Sequence, residues 1–81
     1  MSDILAELST AVIEGNVDDM ADLTEDALDE DLSAQDILDK GLMSSMDHVG
    51  VEFKAGNMFV PEVLRSARAM HNSMDLIRPL L

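Results

Sequence analysis

The side chains that could bind a metal ion or act as a nucleophile are few in this sequence. Its only histidines are His48 and His71, which are 23 positions apart, and it contains no cysteine. Two histidines on separate helices could meet with a carboxylate to bind zinc, but isolated helical histidines are more often ordinary, partly buried residues. The absence of cysteine excludes a thiolate metal site and a thiol nucleophile. We therefore predict no metal site and no catalytic residue.

An acidic stretch has the beginning of a calcium loop but not its end. Asp29, Asp31 and Ser33 match the first, third and fifth ligand positions of such a loop. Its sixth position needs a glycine and its last a glutamate, whereas this sequence has Ala34 and Lys40 there. The segment can neither turn sharply nor supply a bidentate ligand, so a solvated acidic surface is the better interpretation.

Two adjacent serines raise the hypothesis of a carrier protein. The segment around Ser44 and Ser45 superficially resembles the phosphopantetheine attachment site of acyl and peptidyl carrier proteins, which are also short acidic helical chains. In that family the modified serine follows an aspartate and precedes a leucine at the start of a helix. Here Ser44 follows Met43, Ser45 precedes Met46, and the periodicity places both in mid-helix. A carrier-like protein or an acidic interaction module is the alternative function.

The composition predicts one small all-α domain that comprises residues 1–81. A chain of 81 residues has room for a single core, and its 47% hydrophobic content is that of a folded protein. Phe53 and Phe59 are its only aromatic residues, so the core must be built from aliphatic side chains, alanine and seven methionines. Such a core suits packed helices better than a sheet.

The charge is large, negative and unevenly distributed. The net charge of −12 opposes binding to nucleic acid or to an anionic membrane surface. Residues 1–39 contain thirteen acidic and no basic residues, whereas residues 40–81 contain four acidic and five basic ones. The acidic half could therefore dock on a basic partner. With neither a signal peptide nor a long apolar run, we expect a soluble cytoplasmic protein.

Apolar periodicity predicts four helices joined by short connections, and therefore an antiparallel four-helix bundle. Ser2 is the expected N-cap of the first helix, Gly15 ends it, and Asn16 is expected to cap the second. In the third helix, Ser33 and Asp36 form a box-like cap.

Glycines and prolines complete the prediction for the third and fourth helices. Gly41 and Gly50 lie inside the third helix, where a glycine is unfavourable unless a neighbouring helix approaches closely. Pro61 opens the fourth helix and Pro79 ends it. The stripe expected to face the core in the fourth helix is Val63, Leu64, Ala67, Met70, His71, Met74 and Ile77.

Residues 49–70 carry the most specific signal in the sequence. They contain Val49-Gly, Phe53, Gly56, Phe59-Val-Pro-Glu-Val-Leu64 and Ala67-Arg-Ala-Met70 in that order. This pattern closely resembles the N-terminal helical domain of corrinoid proteins of methyltransferase systems, in which Phe-Leu-Pro-Glu-Val-Leu is the usual form of the central motif. The resemblance extends back to Asp36-Ile-Leu, Gly41-Leu and Ala11-Val-Ile-Glu-Gly15.

The resemblance implies a cap that lies over the upper face of a corrinoid (cobalamin) cofactor. By position, the family's contacts to that face fall on Phe53, Val60 and Val63, and leucine is commoner than valine at the position of Val60. Phe53 and Val60 flank one tight connection, so their side chains can project together from one end of the bundle. A shield of this kind protects the reduced cobalt from water and oxidants, and must move aside during methyl transfer.

The resemblance also implies partners. The family holds its cofactor mainly in a following Rossmann-like cobalamin domain that carries Asp-x-His-x-x-Gly, a motif that these 81 residues do not contain. The chain is therefore expected to be an excised cap domain, without enzymatic activity or tight corrinoid binding of its own. In the parent protein its partners are that domain, a substrate-specific methyltransferase and a methyl-acceptor methyltransferase. An exposed cofactor-facing surface also gives the isolated chain a reason to form a homodimer.

Overall fold

Four helices form the bundle in the computed structural model, which describes residues 3–81 and contains no strand in that range. Helix α1 spans Ile4–Glu14 and helix α2 spans Met20–Asp29. Helix α3 runs continuously over residues 34–54, and helix α4 spans Val60–Ile77. A 3₁₀ turn, Val17–Asp19, precedes α2, and another, Arg78–Leu80, follows α4. The all-α four-helix prediction is confirmed.

The ends of α1 are only partly as expected. Gly15 has a φ of 69°, and its N–H donates to the carbonyl of Val12 at 3.0 Å, so it ends α1 in the left-handed conformation that glycine favours. The expected N-cap, Ser2, lies outside the described residues.

The cap predicted at Asn16 is wrong. Its side chain accepts no hydrogen bond from the following turn. Instead, its amide Nδ2 donates to Oδ2 of Asp19 at 2.7 Å. The 3₁₀ turn brings that carboxylate within reach, and a bond to a charged acceptor is stronger than a neutral one.

Helix α3 begins as predicted but is not wound uniformly. The Oγ of Ser33 accepts from the N–H of Asp36 at 3.0 Å, which confirms the cap. The stretch Ile37–Met43 then forms a π-helical segment between two α-helical ones. In a π-helix the backbone carbonyls no longer accept from the N–H groups that they would bond in an α-helix. A hydroxyl group supplies a donor here, because Ser44 Oγ donates to the Lys40 carbonyl at 2.6 Å.

Helix α1 packs tightly against the π-helical segment. The hydroxyls of Ser9 and Ser45 both reach the carbonyl of Gly41, and their two oxygens are 2.7 Å apart. A Cβ added at Gly41 would lie 2.9 Å from Cδ2 of Leu8. The predicted close approach of a helix is therefore confirmed at Gly41.

The face of α4 that is buried in the core is rotated about the helix axis from the face that the sequence predicts. Leu64 is 63% exposed and His71 is also exposed, so placing them in the core was wrong. The fully buried positions of α4 are the small or aliphatic residues Ser66, Ala69, Ser73 and Ile77. Small side chains let α4 approach its neighbours closely, and this turns the larger Leu64 towards solvent.

Among residues 3–81, no helix is both long enough and apolar enough to cross a bilayer.

Candidate functional site

A short connection, residues 55–59, joins α3 to α4 and shapes one end of the bundle. Gly56 has a φ of 84° and donates its N–H to the carbonyl of Phe53 at 3.1 Å. Asn57 then donates its backbone N–H to the Glu52 carbonyl at 2.9 Å and its side-chain amide to the Glu52 carboxylate at 2.8 Å. These bonds reverse the chain within a few residues, and only glycine adopts that φ without strain.

The first turn of α4 fixes the direction in which the chain leaves the connection. The carboxylate Oε1 of Glu62 accepts from the backbone N–H of Phe59 at 3.0 Å, which is the reciprocal half of a capping box. Pro61 occupies the second helical position, where no N–H is required. Phe59 and Val60 are therefore held at the helix start by local bonds and not by burial.

Several large apolar side chains on and beside this connection are exposed to solvent. Of the eight large hydrophobic residues that are exposed in the described chain, five lie within residues 51–64. Phe53 is 46% and Val60 is 55% exposed. We call these five the apolar end surface: Val51, Phe53, Phe59, Val60 and Leu64.

Two of the three site residues expected from the sequence belong to this surface. Phe53 and Val60 are exposed on either side of the connection, whereas Val63 is half-buried in the next turn of α4. Sequence reasoning assigned Leu64 to the core, and it did not include Phe59 or Val51. A signal for Leu64 was present, because it lies four residues after Val60 and so shares its helical face.

Gly50 leaves free space in the last turns of α3. No atom lies within 4 Å of a Cβ built at Gly50, so the close approach predicted for this glycine is not found within the described chain. Phe53 and Lys54 follow three and four residues later and flank the same face of the helix. A flat group could therefore approach the α3 backbone closely beside Phe53.

The other candidate residues do not form a site. Nε2 of His48 is 3.8 Å from a carboxylate oxygen of Glu52, and His71 lies exposed on α4. No group of three histidine or acidic side chains among residues 3–81 is arranged to hold a metal ion. Ser45 is buried, and Ser44 already donates to a backbone carbonyl.

Two surface cavities are lined by none of the residues of the apolar end surface. One, of about 310 Å³, lies between α1 and α2 and is lined by residues that include Glu7, Glu14 and Leu23. The other, of about 370 Å³, lies between the α1–α2 connection and α4, where Arg65 and Arg68 line it. Neither cavity is lined by Phe53 or Val60.

Comparison with known proteins finds one domain family and several close relatives. Residues 4–78 match the family model described as a B12 binding domain. A corrinoid protein of Desulfitobacterium hafniense is 40% identical over 76 residues, covering 94% of this chain and 35% of that protein. Monomethylamine corrinoid protein 2 of Methanosarcina acetivorans is 34% identical over 80 residues, covering 99% of this chain and 37% of that protein.

A solved structure has the same fold. The monomethylamine corrinoid protein of Methanosarcina barkeri superposes with a TM-score of 0.90 at 36% sequence identity, covering 94% of this chain and 36% of that one. The chain therefore spans little more than a third of the length of the relatives that it matches.

Proposed function

Because the chain belongs to the B12 binding domain family, we propose that it is the helical cap of a corrinoid methyl-carrier protein and covers the upper face of the cobalt cofactor. In this proposal the cofactor is held mainly by a Rossmann-like cobalamin domain outside these 81 residues. The cap works with a substrate-specific methyltransferase and a methyl-acceptor methyltransferase in the cytoplasm. The single observation that supports it most directly is the apolar end surface.

The apolar end surface is unusual for this chain because the rest of its exterior is so acidic. Five large apolar side chains remain exposed at one connection, although the molecule carries a net charge of −12. Exposed apolar patches on a small protein typically mark a binding surface, and Val60 and Leu64, four residues apart, share one face of α4. Beside the connection, the carboxylates of Glu52 and Glu62 are engaged in local hydrogen bonds and do not extend over the apolar residues.

The residues present fit a broad, flat macrocycle. Phe53 offers a planar ring and Val60 a compact aliphatic group. Gly50 offers an opening, because no atom of residues 3–81 lies within 4 Å of a Cβ built there. None of these side chains can donate a proton or ligate cobalt, so they would cover the macrocycle without reacting with it.

The contribution of this chain to methyl transfer is the exclusion of water. When bound, the corrinoid supplies a cobalt centre that accepts and passes on a methyl group. Phe53 and Val60 would lie over that centre and keep water and oxidants away from it between transfers. The tight hydrogen bonds at Gly56 and Asn57 hold the connection together, so the cap would move aside as a unit.

The test is a double substitution in the full-length, corrinoid-loaded protein. Phe53→Ala with Val60→Ala should leave the corrinoid content nearly unchanged, because binding belongs mainly to the other domain. The variant should shorten the lifetime of reduced cobalt in air, followed by the corrinoid absorption bands. The isolated 81-residue chain should bind cobalamin weakly or not at all in an equilibrium titration.

A matched control is Met43→Ala. Met43 is also exposed, at 50%, but precedes Phe53 by ten helical residues, or about 15 Å along α3. It should leave the lifetime of reduced cobalt unchanged. An unchanged lifetime in the double variant would mean that Phe53 and Val60 only close the end of the bundle, and submicromolar binding by the isolated chain would also overturn the proposal.

A further inference from the structure

Two arginines on α4 have no ionic partner among residues 3–81, although acidic residues greatly outnumber basic ones. Among the described residues, Lys40 pairs with Asp36 at 3.9 Å and Arg78 pairs with Asp75 at 3.2 Å. Arg65 and Arg68 form no ion pair or side-chain hydrogen bond with any residue of the described range. In a chain with seventeen carboxylates, this leaves two guanidinium groups available to an external anion.

The arginine pair is held in place by its surroundings. A Cβ at Gly15 would lie 2.5 Å from Cγ of Arg65, so the aliphatic stem of Arg65 lies directly on the backbone of the α1–α2 connection. Ser66 donates to the Ile13 carbonyl at 3.2 Å, and Asn72 donates to the Val17 carbonyl at 3.3 Å. The first bond ties α4 to the last turn of α1 between the two arginines, and the second ties it to the 3₁₀ turn about one helical turn beyond Arg68, so the stretch of α4 that carries the pair is fixed in place.

The cavity beside the pair favours one carboxylate over a phosphate. It has a volume of about 370 Å³ and is lined by Arg65, Arg68, Asp18 and the adjoining connection. A carboxylate can accept two parallel hydrogen bonds from a guanidinium group. The nearby carboxylate of Asp18 and the net charge of −12 both disfavour a dianion or a polyanion.

The pair is also continuous with the apolar end surface. Val60, Leu64 and Arg68 follow one another at four-residue steps, so they share one face of α4. Val60 and Leu64 are 55% and 63% exposed. Arginine is one of the residue types enriched among energetically important interface residues. Arg68 therefore lies at the edge of the apolar end surface, and Arg65 lines the same cavity as Arg68.

We propose that Arg65 and Arg68 form a latch that binds an aspartate or glutamate side chain on the corrinoid-binding domain and holds the cap closed. The inference rests on the proposed function, because that domain is the partner expected to cover the end surface. The latch adds a salt-sensitive contact at the rim, whereas the shielding itself comes from the apolar residues.

Arginine-specific modification by phenylglyoxal, read by mass spectrometry, tests the latch. In the isolated chain, Arg65 and Arg68 should react freely. In the full-length, corrinoid-loaded protein at low salt they should react about ten-fold more slowly, which corresponds to about 1.4 kcal/mol. That protection should decrease in 1 M NaCl, where the screening length is about 3 Å. Arg78, which is already paired with Asp75, is the internal control and should react alike in both proteins.

A second measurement separates failure of the latch from failure of the cap. Hydroxyl-radical footprinting of Phe53 and Phe59 reports whether the end surface is covered in the same full-length protein. Arg65→Gln with Arg68→Gln should reduce that coverage, and the matched Arg78→Gln should not. If both phenylalanines are covered but Arg65 and Arg68 react as in the isolated chain, the latch is overturned and the cap stands. If the phenylalanines are as exposed as in the isolated chain, the proposed function is overturned.

Discussion

The two ends of helix α3 differ in what surrounds them. Its first part is packed against α1, with Gly41 and Leu42 buried and Ser45 only 2% exposed. Its last turns are open, with Val51 62% and Phe53 46% exposed. Both parts are rich in apolar residues, so composition alone does not distinguish them. The difference is that the first part finds its partners within the domain, whereas the last part does not.

The two glycines of α3 show the same difference between a packed first part and open last turns. At Gly41 an added Cβ would lie 2.9 Å from Leu8, whereas at Gly50 it would have no neighbour within 4 Å in the described part of the chain. A glycine inside a helix costs about 0.5–1 kcal/mol relative to alanine. At Gly41 this cost is offset by close packing of α1, but at Gly50 no such packing is found among residues 3–81. The open end of α3 therefore has features of a surface that serves an external partner.

The largest expected effect is at the packed end. Leu8 is fully buried and contacts the Gly41 region, so Leu8→Ala should leave a cavity and lower the free energy of unfolding by about 2–5 kcal/mol. Phe53→Ala, at the open end, should lower it by only about 1 kcal/mol, because nearly half of Phe53 is exposed. Urea unfolding of the isolated chain measures both. A similar loss in the two variants would mean that Phe53 belongs to the core.

Gly41→Ala should also destabilise, but less. The new methyl group gains helix propensity yet presses on Cδ2 of Leu8, a fully buried side chain with little room to move. Overpacking should cost about 1–3 kcal/mol, and the higher helix propensity of alanine recovers part of it. The free energy of unfolding should therefore fall by about 1 kcal/mol. The measurement is the shift of the urea midpoint at unchanged slope. A gain in stability would show that α1 can move away freely.

Gly50→Ala should have the opposite sign. Gly50 is exposed, and its φ is not positive, so alanine should raise the free energy of unfolding of the isolated chain by about 0.5–1 kcal/mol. In the full-length, corrinoid-loaded protein the same methyl group should shorten the lifetime of reduced cobalt, because it occupies the space beside Phe53. If the substitution is neutral in both settings, the open space at Gly50 has no role.

Most of the fold could be predicted from the sequence because helix ends are local. Gly15 and Ser33 form their hydrogen bonds with residues within four positions, and both were predicted correctly. The buried face of α4 was not, because it depends on distant contacts. Ser73 is fully buried because its hydroxyl lies 2.6 Å from that of Thr24, which is 49 positions away. Periodicity of apolar residues cannot register a serine that is buried through such a bond.

The candidate site was predicted by resemblance and not by pattern. Periodicity placed Leu64 in the core, where a leucine normally belongs, and only the three-dimensional packing of small residues on α4 shows it exposed. The π-helical winding of Ile37–Met43 was also unforeseen; this segment lies against α1, where Ser9 donates to the Gly41 carbonyl. The role of Phe53 and Val60 stays a prediction, since their exposure fits shielding but does not measure it.

The smallest effect is the response of the bundle to salt. Asp22, Glu25, Asp26 and Asp29 are all exposed on α2 at spacings of three or four residues, and none forms an ion pair within the described range. Like charges at these spacings each cost a few tenths of a kcal/mol, and the screening length falls from about 30 Å at 0.01 M to about 8 Å at 0.15 M salt. Raising NaCl over that range should therefore raise the melting temperature of the isolated chain.

Asp26→Asn removes one repulsive charge, so the melting temperature of this variant should be higher at low salt and should depend less on salt. A melting temperature that falls with added salt would show that attraction between charges within the chain dominates. It would then be wrong to describe helix α2 as an acidic helix whose charges repel one another, in contrast to the apolar end of α3.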